Sequence, residues 1–255
     1  MKREPVVIRA FQDDITLLSV GTNLTRYMLM KKFISFSLLA ALLLAPLSAS
    51  ALSRSAYVER VETCEAILQQ FMSDPTNAIP ANVLQRARGI IIVSQVRAGL
   101  LFGLKDGFGI VMVRRADNTW SVPAILAVGE GSFGIQFGVS ANETIYILND
   151  DTTPRLLNNQ RFHVGVDAKA VAGPKAASNE HSNEEVLTTP VLVYEKNKGL
   201  YAGASVKAGY LSRNDDANRS LYNTTYTLPE ILYSNWVTVP DEVKPLMEYV
   251  NSLTR

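Results

Sequence analysis

The pattern of hydrophobic and polar positions divides the chain into a helical beginning, a strand-rich middle and a helical end. Apolar residues recur at three- and four-residue steps over residues 53–72, which predicts an amphipathic helix. These apolar residues are Tyr57, Val61, Cys64, Ile67, Leu68, Phe71 and Met72. Residues 80–88 predict a shorter helix with Pro80 in its first turn, and residues 240–253 predict a terminal helix.

Glycine is concentrated in the strand-rich part of the chain. Nine of the fifteen glycines fall within residues 89–140, between short β-branched runs such as Ile90-Ile91-Ile92-Val93 that predict strands. Glycine inside a strand is typical of a sheet that bends, bulges or lets another backbone or a ligand come close. The predicted fold class is therefore α+β, with a strongly curved, glycine-rich antiparallel sheet or small β-barrel and flanking N- and C-terminal helices.

One glycine run also matches a nucleotide-binding motif. Residues 129–134 fit G-x-G-x-x-G, but a dinucleotide site needs a helix that begins at the last glycine and holds the pyrophosphate at its N-terminus. Ile135, Phe137 and Val139 instead alternate with polar or small residues, which predicts a strand. We therefore attribute these glycines to the curvature of the sheet and expect no cofactor.

The first fifth of the chain has the features of a targeting segment. Residues 30–51 contain two lysines, an apolar segment and a small-x-small cleavage site that ends at Ala51, which together predict a signal peptide. The alternative is a transmembrane anchor, but a span needs about 20 apolar residues and this segment is shorter. We expect residues 1–29 to be a non-native or unstructured extension, and residues 52–255 to form one exported domain, periplasmic or extracellular.

Charge and cysteine content exclude several classes of protein. The 25 basic and 24 acidic residues nearly balance, so the chain lacks the basic excess of a nucleic-acid-binding protein, and we expect no nucleic-acid partner. The single cysteine, Cys64, excludes an internal disulfide and a thiolate metal cluster. No common catalytic motif is present, so we expect a non-enzymatic protein without a metal; a hydrolase built from spatially gathered carboxylates is the alternative.

The helix over residues 53–72 has two interpretations. Its apolar stripe can pack on the sheet, or it can lie in a membrane interface, although its acidic polar face weakens the second interpretation. Under the second interpretation the lipid- or membrane-binding residues are Tyr57, Val61, Ile67, Leu68, Phe71, Met72, Arg86 and Arg88. The basic residues from the second helix onward are either solvated ends or a convergent anion site, and they are Arg86, Arg88, Arg97, Lys105, Arg114 and Arg115.

Short motifs spread over residues 57–222 resemble the SYLF domain, the family also called the lipid-binding or yeast actin-patch actin-binding domain. The residues that carry the resemblance as structural motif positions are Gly107, Gly109, Trp120, Ser121, Pro123, Gly129, Gly131, Gly134, Gly173, Pro174, Gly199 and Gly203. The chain departs from the family after Gly173-Pro174, where Lys175-Ala176 stands in place of a glycine.

The resemblance implies binding to membrane lipid, phosphoinositides in eukaryotic members, and actin binding in some members. The predicted signal peptide is similar to a bacterial exported branch, for which actin is not expected as a partner. The leading hypothesis is an exported, lipid- or membrane-associating domain protein of the cell envelope. The alternative is an envelope module that binds a protein or glycan partner through the polar loop at residues 175–189.

Overall fold

The computed structural model describes residues 52–99, 104–130, 138–158, 161–175, 184–195 and 209–255. Chain contacts divide the protein into residues 1–51 and residues 52–255. The predicted extension and signal peptide lie outside the described residues. The predicted α+β class is confirmed for residues 52–255, where helices flank a sheet that curls into a half-barrel.

The helices begin and end close to the predicted positions at both ends of the domain. They are α1 (Arg54–Ser73), α2 (Ala81–Arg86), α3 (Glu184–Leu187), α4 (Asp215–Tyr222), α5 (Leu228–Tyr233) and α6 (Lys244–Leu253), with 3-10 helices η1 (Thr153–Asn158) and η2 (Asp241–Val243). The predicted helix over residues 53–72 is α1, and the Ser53 side chain caps it by accepting a hydrogen bond from the Ala56 N–H.

One segment that the sequence predicted as a turn is helical. The polar composition of residues 214–218 predicts a turn, yet α4 begins there. The side chain of Asn214 accepts a hydrogen bond from the Ala217 N–H, and Asp215 and Asp216 lie in the first turn. A capping side chain followed by acids favours a helix start because it satisfies free N–H groups and complements the helix dipole.

The described strands form one sheet of eight. They are β1 (Gly89–Gly99), β2 (Leu104–Val113), β3 (Ala124–Glu130), β4 (Gly138–Leu148), β5 (Phe162–His163), β6 (Ala170–Ala172), β7 (Val191–Glu195) and β8 (Gly209–Arg213). Their order is β5-β8-β3-β2-β1-β4-β7-β6. Neighbouring strands are antiparallel except β6 and β7, which are parallel, so the sheet is mixed rather than purely antiparallel.

Two glycines of the sheet lie beneath tyrosine rings. A Cβ atom added at Gly129 would lie 2.2 Å from Cζ of Tyr210, its cross-strand partner in β8. A Cβ atom added at Gly173 would lie 2.1 Å from Cζ of Tyr194. These glycines therefore allow a tyrosine ring to cover the backbone, a close approach that adds to the predicted curvature. Residues 131–134 of the glycine motif lie outside the described residues.

The core is formed where α1 packs on the two central strands. The side chains of Ile90, Ile91 and Ile92 in β1 are all fully buried, so both faces of this strand are covered. The core continues past residue 222 into the C-terminal region, where Leu246 and Val250 of α6 are also fully buried. Among the described helices, none is long and apolar enough to cross a membrane.

Candidate functional site: an arginine-rich end of the domain

The apolar stripe of α1 is part of the protein core. Its exposed fractions are 7% for Tyr57, 1% for Val61, 3% for Ile67, 0% for Leu68 and 2% for Phe71. Met72 is partly buried against the same core. In this conformation α1 therefore presents its polar face to solvent. The lipid-binding role of the stripe stays a prediction, and it requires α1 to leave the sheet.

The two predicted arginines lie elsewhere, at one end of the domain. Arg86 ends α2 and is exposed, whereas Arg88 precedes β1 and its side chain is 39% exposed. Two neighbouring clefts open there, of about 590 Å³ and about 500 Å³, and both are lined by Arg88 and Arg114. Arg115 and Arg155 line the larger cleft. We call the five residues Arg86, Arg88, Arg114, Arg115 and Arg155 the arginine-rich end.

Four of the five residues of the arginine-rich end were predicted from the sequence, and Arg155 was not. Arg86, Arg88, Arg114 and Arg115 line the two clefts, so these four residues lie together, and their binding of an anion stays a prediction. Arg97 and Lys105 are cross-strand backbone partners eight residues along β1 from Gly89, toward the other end of the strands, and do not line these clefts. Arg155 was missed because no periodicity links η1 to the end of β2.

Arg114 is held in place by backbone carbonyls. Its Nη1 donates to the carbonyl oxygen of Gln85 and its Nη2 to that of Thr254, each over 3.0 Å. The guanidinium also lies 5.3 Å from the ring centre of Trp120. These contacts fix the guanidinium through the C-terminal ends of α2 and α6, where a positive charge is favourable because helix carbonyls point outward.

Arg115 is fixed in the same way at the end of α5. Its Nε donates to the carbonyl oxygen of Leu232 over 3.0 Å, and its Nη1 donates to Oδ1 of Asn235 over 2.9 Å. Burial lowers the pKa of Arg115, and burial together with the positive charge of Arg88 lowers the pKa of Arg114. Keeping the guanidinium groups of Arg114 and Arg115 charged in this partly buried position therefore costs electrostatic free energy.

Carboxylates compensate only part of this positive charge. Asp151 forms an ion pair with Arg88 over 3.4 Å. Glu230 lines the larger cleft, but its Oε2 accepts hydrogen bonds from the N–H and hydroxyl of Thr227, each over 2.7 Å, and these bonds lower its pKa. Within the described part of the chain, Arg114, Arg115 and Arg155 form no ion pair with a carboxylate. The larger cleft therefore carries a net positive charge.

Two aromatic side chains complete the larger cleft. The guanidinium of Arg155 lies 5.2 Å from the ring centre of Tyr233, and burial raises the pKa of this tyrosine. Trp236 is 62% exposed and packs against Tyr226 with ring centres 5.7 Å apart. An exposed tryptophan beside fixed cations is typical of a binding surface, because the ring offers both an apolar face and a polar edge.

The Trp120–Pro123 motif supports the fold. Trp120 is 3% exposed, and its Nε1 donates to Oγ1 of Thr254 over 2.9 Å. The hydroxyl of Ser121 accepts a hydrogen bond from the Val113 N–H over 3.0 Å, so the motif extends the hydrogen bonding of β2. The carbonyl of Pro123 accepts a hydrogen bond from the hydroxyl of Tyr222.

The remaining predicted motif positions divide between described and undescribed segments. Gly107 and Gly109 lie in β2, and Gly173-Pro174 follows β6. Four motif glycines lie outside the described residues, namely Gly131, Gly134, Gly199 and Gly203. Most of the predicted partner-binding loop, residues 176–183, also lies outside them. No group of three or more metal-ligating side chains occurs among the residues that the structure describes.

Comparison with known proteins identifies relatives for much of the domain. The family model described as "Ysc84: Las17-binding protein actin regulator" matches residues 129–253. Protein YSC84 of Saccharomyces cerevisiae is 33% identical over 177 residues, which are 68% of this chain and 38% of that protein. LAS seventeen-binding protein 3 of the same species is 32% identical over 177 residues, with the same coverage of 68% and 38%.

A human protein shows a similar relationship. SH3 domain-containing YSC84-like protein 1 of Homo sapiens is 28% identical over 181 residues, which are 71% of this chain and 53% of that protein. The chain thus spans between 38% and 53% of the length of these three relatives. The name of the second yeast relative refers to binding, and the name of the human relative refers to domain composition.

Proposed function

Because residues 129–253 place this chain in the Ysc84 family, we propose that it is an exported, non-enzymatic domain protein of the cell envelope that associates with lipid or membrane surfaces. The observation that carries the proposal is the arginine-rich end with Trp236 beside it. Juxtamembrane arginines are attracted to anionic lipid by about 1 kcal/mol each, and tryptophan favours the boundary between lipid and water.

The location of this surface changes which residues should contact lipid. The apolar stripe of α1 is engaged in the core, so it reaches lipid only if α1 leaves the sheet. Arg86, Arg155 and Trp236 need no such change because all three are exposed. We therefore assign the first contact with a membrane to the arginine-rich end and treat release of α1 as a separate step.

Vesicle co-sedimentation tests the proposal. Residues 52–255 contain every described helix, strand and core residue, so this part is used with vesicles of neutral lipid and with vesicles that contain anionic phosphatidylglycerol. Binding is expected only to the anionic vesicles, and Arg86→Gln or Arg155→Gln should weaken it about fivefold each. The matched control is Arg219→Gln, which removes an exposed arginine from α4, outside both clefts. Equal binding to both vesicle types, or equal loss in the control, would reject the assignment.

Export has a separate test. Expression of the full chain followed by N-terminal sequencing of the mature protein should give Leu52 as the first residue, because the predicted cleavage site ends at Ala51. Detection of residue 10 in the mature protein would contradict the signal peptide. This outcome leaves the vesicle result unaffected, so the two parts of the proposal fail independently.

A protein partner is the second candidate, favoured by the relatives that are named for binding another protein. The loop at residues 175–189 is the proposed contact, and the Nζ of Lys175 at its start donates to Oδ1 of Asn77 over 2.7 Å. Deletion of residues 176–183 should remove chemical crosslinks to an envelope protein while vesicle binding persists. Crosslinks that survive the deletion would exclude the loop as the contact.

A further inference from the structure

The larger cleft contains three buried polar atoms that have no hydrogen-bond partner in the described part of the chain. They are Nε of Arg114, Oδ1 of Asn158 and the hydroxyl of Tyr233, and all three residues line this cleft. A buried polar group that lacks a partner is costly, and such groups are rare in native proteins. Their gathering in one cleft indicates a bound molecule that accepts hydrogen bonds from Nε of Arg114 and the hydroxyl of Tyr233 and donates one to Oδ1 of Asn158.

The charge around these atoms restricts the chemistry of that molecule. Arg114 and Arg115 are held by carbonyl oxygens, so their guanidinium groups are fixed in direction, and neither forms an ion pair with a carboxylate among the described residues. Arg155 adds a third guanidinium, which is stacked on Tyr233. Planar guanidinium groups bind oxyanions through paired hydrogen bonds, and sites that use several of them favour phosphate or carboxylate groups.

Part of the cleft lining is apolar. Pro229 is partly exposed there, and Trp236, which is 62% exposed, lies at the open side of the cleft. An inorganic anion alone would leave this surface uncovered, whereas a molecule with an apolar or flat part attached to the anion would bury it. The cleft volume of about 590 Å³ falls in the range of small-molecule sites.

We propose that this cleft is a binding site for a small organic phosphate, in which Arg114, Arg115, Arg155 and the hydroxyl of Tyr233 hold the oxyanion and Trp236 contacts the attached organic group. The proposal rests on the arginine-rich end described above and specifies the ligand that it holds. The phosphate can be carried by a soluble molecule or by a lipid headgroup, because the cleft recognises the same group in both.

The two tryptophans of the chain provide a direct measurement. Trp236 is exposed on the cleft and Trp120 is buried against Arg114, so titration of the full chain with phenyl phosphate should change the intrinsic fluorescence. Trp236→Phe should remove most of the change. Phenyl phosphate should bind at least about tenfold more tightly than inorganic phosphate, because only the ester covers the apolar part of the lining. Phenol should not compete.

Variants distinguish a binding role from a structural one. Tyr233→Phe removes one buried hydroxyl without a partner, so it should weaken phenyl phosphate binding several-fold while thermal stability stays equal or rises. Arg155→Gln should weaken binding about tenfold or more, since it removes a charge-assisted hydrogen bond. Arg219→Gln is the matched control and should bind normally. Unchanged affinity in both Tyr233→Phe and Arg155→Gln, or no saturable binding of either phosphate, would overturn the proposal.

The source of the phosphate is resolved by comparing soluble and vesicle-borne probes. Saturable binding of phenyl phosphate that is lost in Arg155→Gln supports a site for soluble ligands. Binding only to vesicles that contain phosphatidic acid, lost in the same variant, supports the site with lipid as its source. Phenyl phosphate binding without any vesicle binding would reject membrane association and retain this cleft as a ligand site, so the two proposals fail separately.

Discussion

At the residue scale, the fully buried side chain of Asn218 takes the place of a missing strand partner. Its Nδ2 donates to the carbonyl oxygen of Ile125 over 3.0 Å, and its Oδ1 accepts from the Ile125 N–H over 2.7 Å. The pairing of β3 with β8 begins at Leu126, the residue after Ile125. The amide therefore satisfies a strand backbone where the neighbouring strand no longer reaches.

Substitution of Asn218 by alanine tests this role. We expect Asn218→Ala to lower the free energy of unfolding by about 1–3 kcal/mol for each backbone group of Ile125 that loses its partner, measured by denaturant titration. Asn82→Ala on the exposed face of α2 is the control and should change stability little. A loss equal to that of the control would show that other groups satisfy Ile125.

The glycine under Tyr194 gives a second prediction at this scale. An added Cβ at Gly173 would overlap the ring of Tyr194, which is 3% exposed and has little room to move. We expect Gly173→Ala to cost about 1–3 kcal/mol of stability. In the background of Tyr194→Leu the same substitution should cost much less, and a purely additive double mutant would contradict the close contact.

The sequence predicted these residues only in part. The unusual glycines were visible in the sequence, but curvature was the reason given for the run that begins at Gly129, whereas the structure shows a tyrosine ring close over Gly129 and over Gly173. Asn218 was placed in a polar turn, because a single amide gives no sign that it will face a strand 93 residues away. The cleft residues Tyr233 and Trp236 were missed for the same reason, since their neighbours come from separate elements.

At the scale of elements, α1 shows how periodicity determines an element but not its surroundings. Its stripe predicted the helix correctly, yet the same stripe is compatible with packing on a sheet or on a membrane. The structure places it in the core, between the central strands and the C-terminal helices. The missed helix α5 had a local signal, the capping box formed by Thr227 and Glu230 with Pro229 in the first turn.

A pair of variants in α1 separates folding from lipid contact. Leu68→Ala should lower the free energy of unfolding by about 2–5 kcal/mol, because the side chain is fully buried, whereas the exposed Gln70→Ala should change it by less than about 0.5 kcal/mol. If the arginine-rich end makes the first contact, the folded Leu68→Ala protein should bind anionic vesicles as the wild type does. Tighter binding by Leu68→Ala would instead show that α1 is released to reach lipid.

At the scale of the whole molecule, the order of the strands could not be deduced from the sequence. The polar residues 196–199, between the apolar segments 191–194 and 200–211, predict a hairpin of these two segments. That prediction is wrong for the described strands, because β7 lies beside β4 and β6 while β8 lies beside β3 and β5. The hydrophobic pattern is compatible with many pairings, and only the burial of the assembled sheet selects one.

The two ends of the described domain are joined by one exposed ion pair, which makes stability depend on pH. Nη1 and Nη2 of Arg54 in α1 donate to the carboxylate of Glu242 over 2.8 and 3.2 Å. This lowers the pKa of Glu242 from its ordinary 4.5 to about 2. The contribution is therefore complete above pH 4.5 and is lost as the pH falls towards 2.

Thermal unfolding at several pH values checks this linkage. Glu242→Gln should melt below the wild type at pH 7, and the difference should shrink below the ordinary pKa of 4.5 and disappear near 2. Glu248→Gln removes an exposed carboxylate of α6 that forms no ion pair among the described residues, and it serves as the control. If the difference in melting temperature persists unchanged at the lowest pH, the substitution does not act through the ion pair with Arg54.

The edge strands of the described sheet are very short, since β5 has two residues and β6 has three. A long exposed border would offer unpaired N–H and C=O groups on which another polypeptide could add a strand, and this is how many β-rich proteins polymerise. Among the described strands, these two border strands present too little regular backbone for such growth. The domain should therefore stay monodisperse at high concentration even though its central strands are among the most apolar segments of the chain.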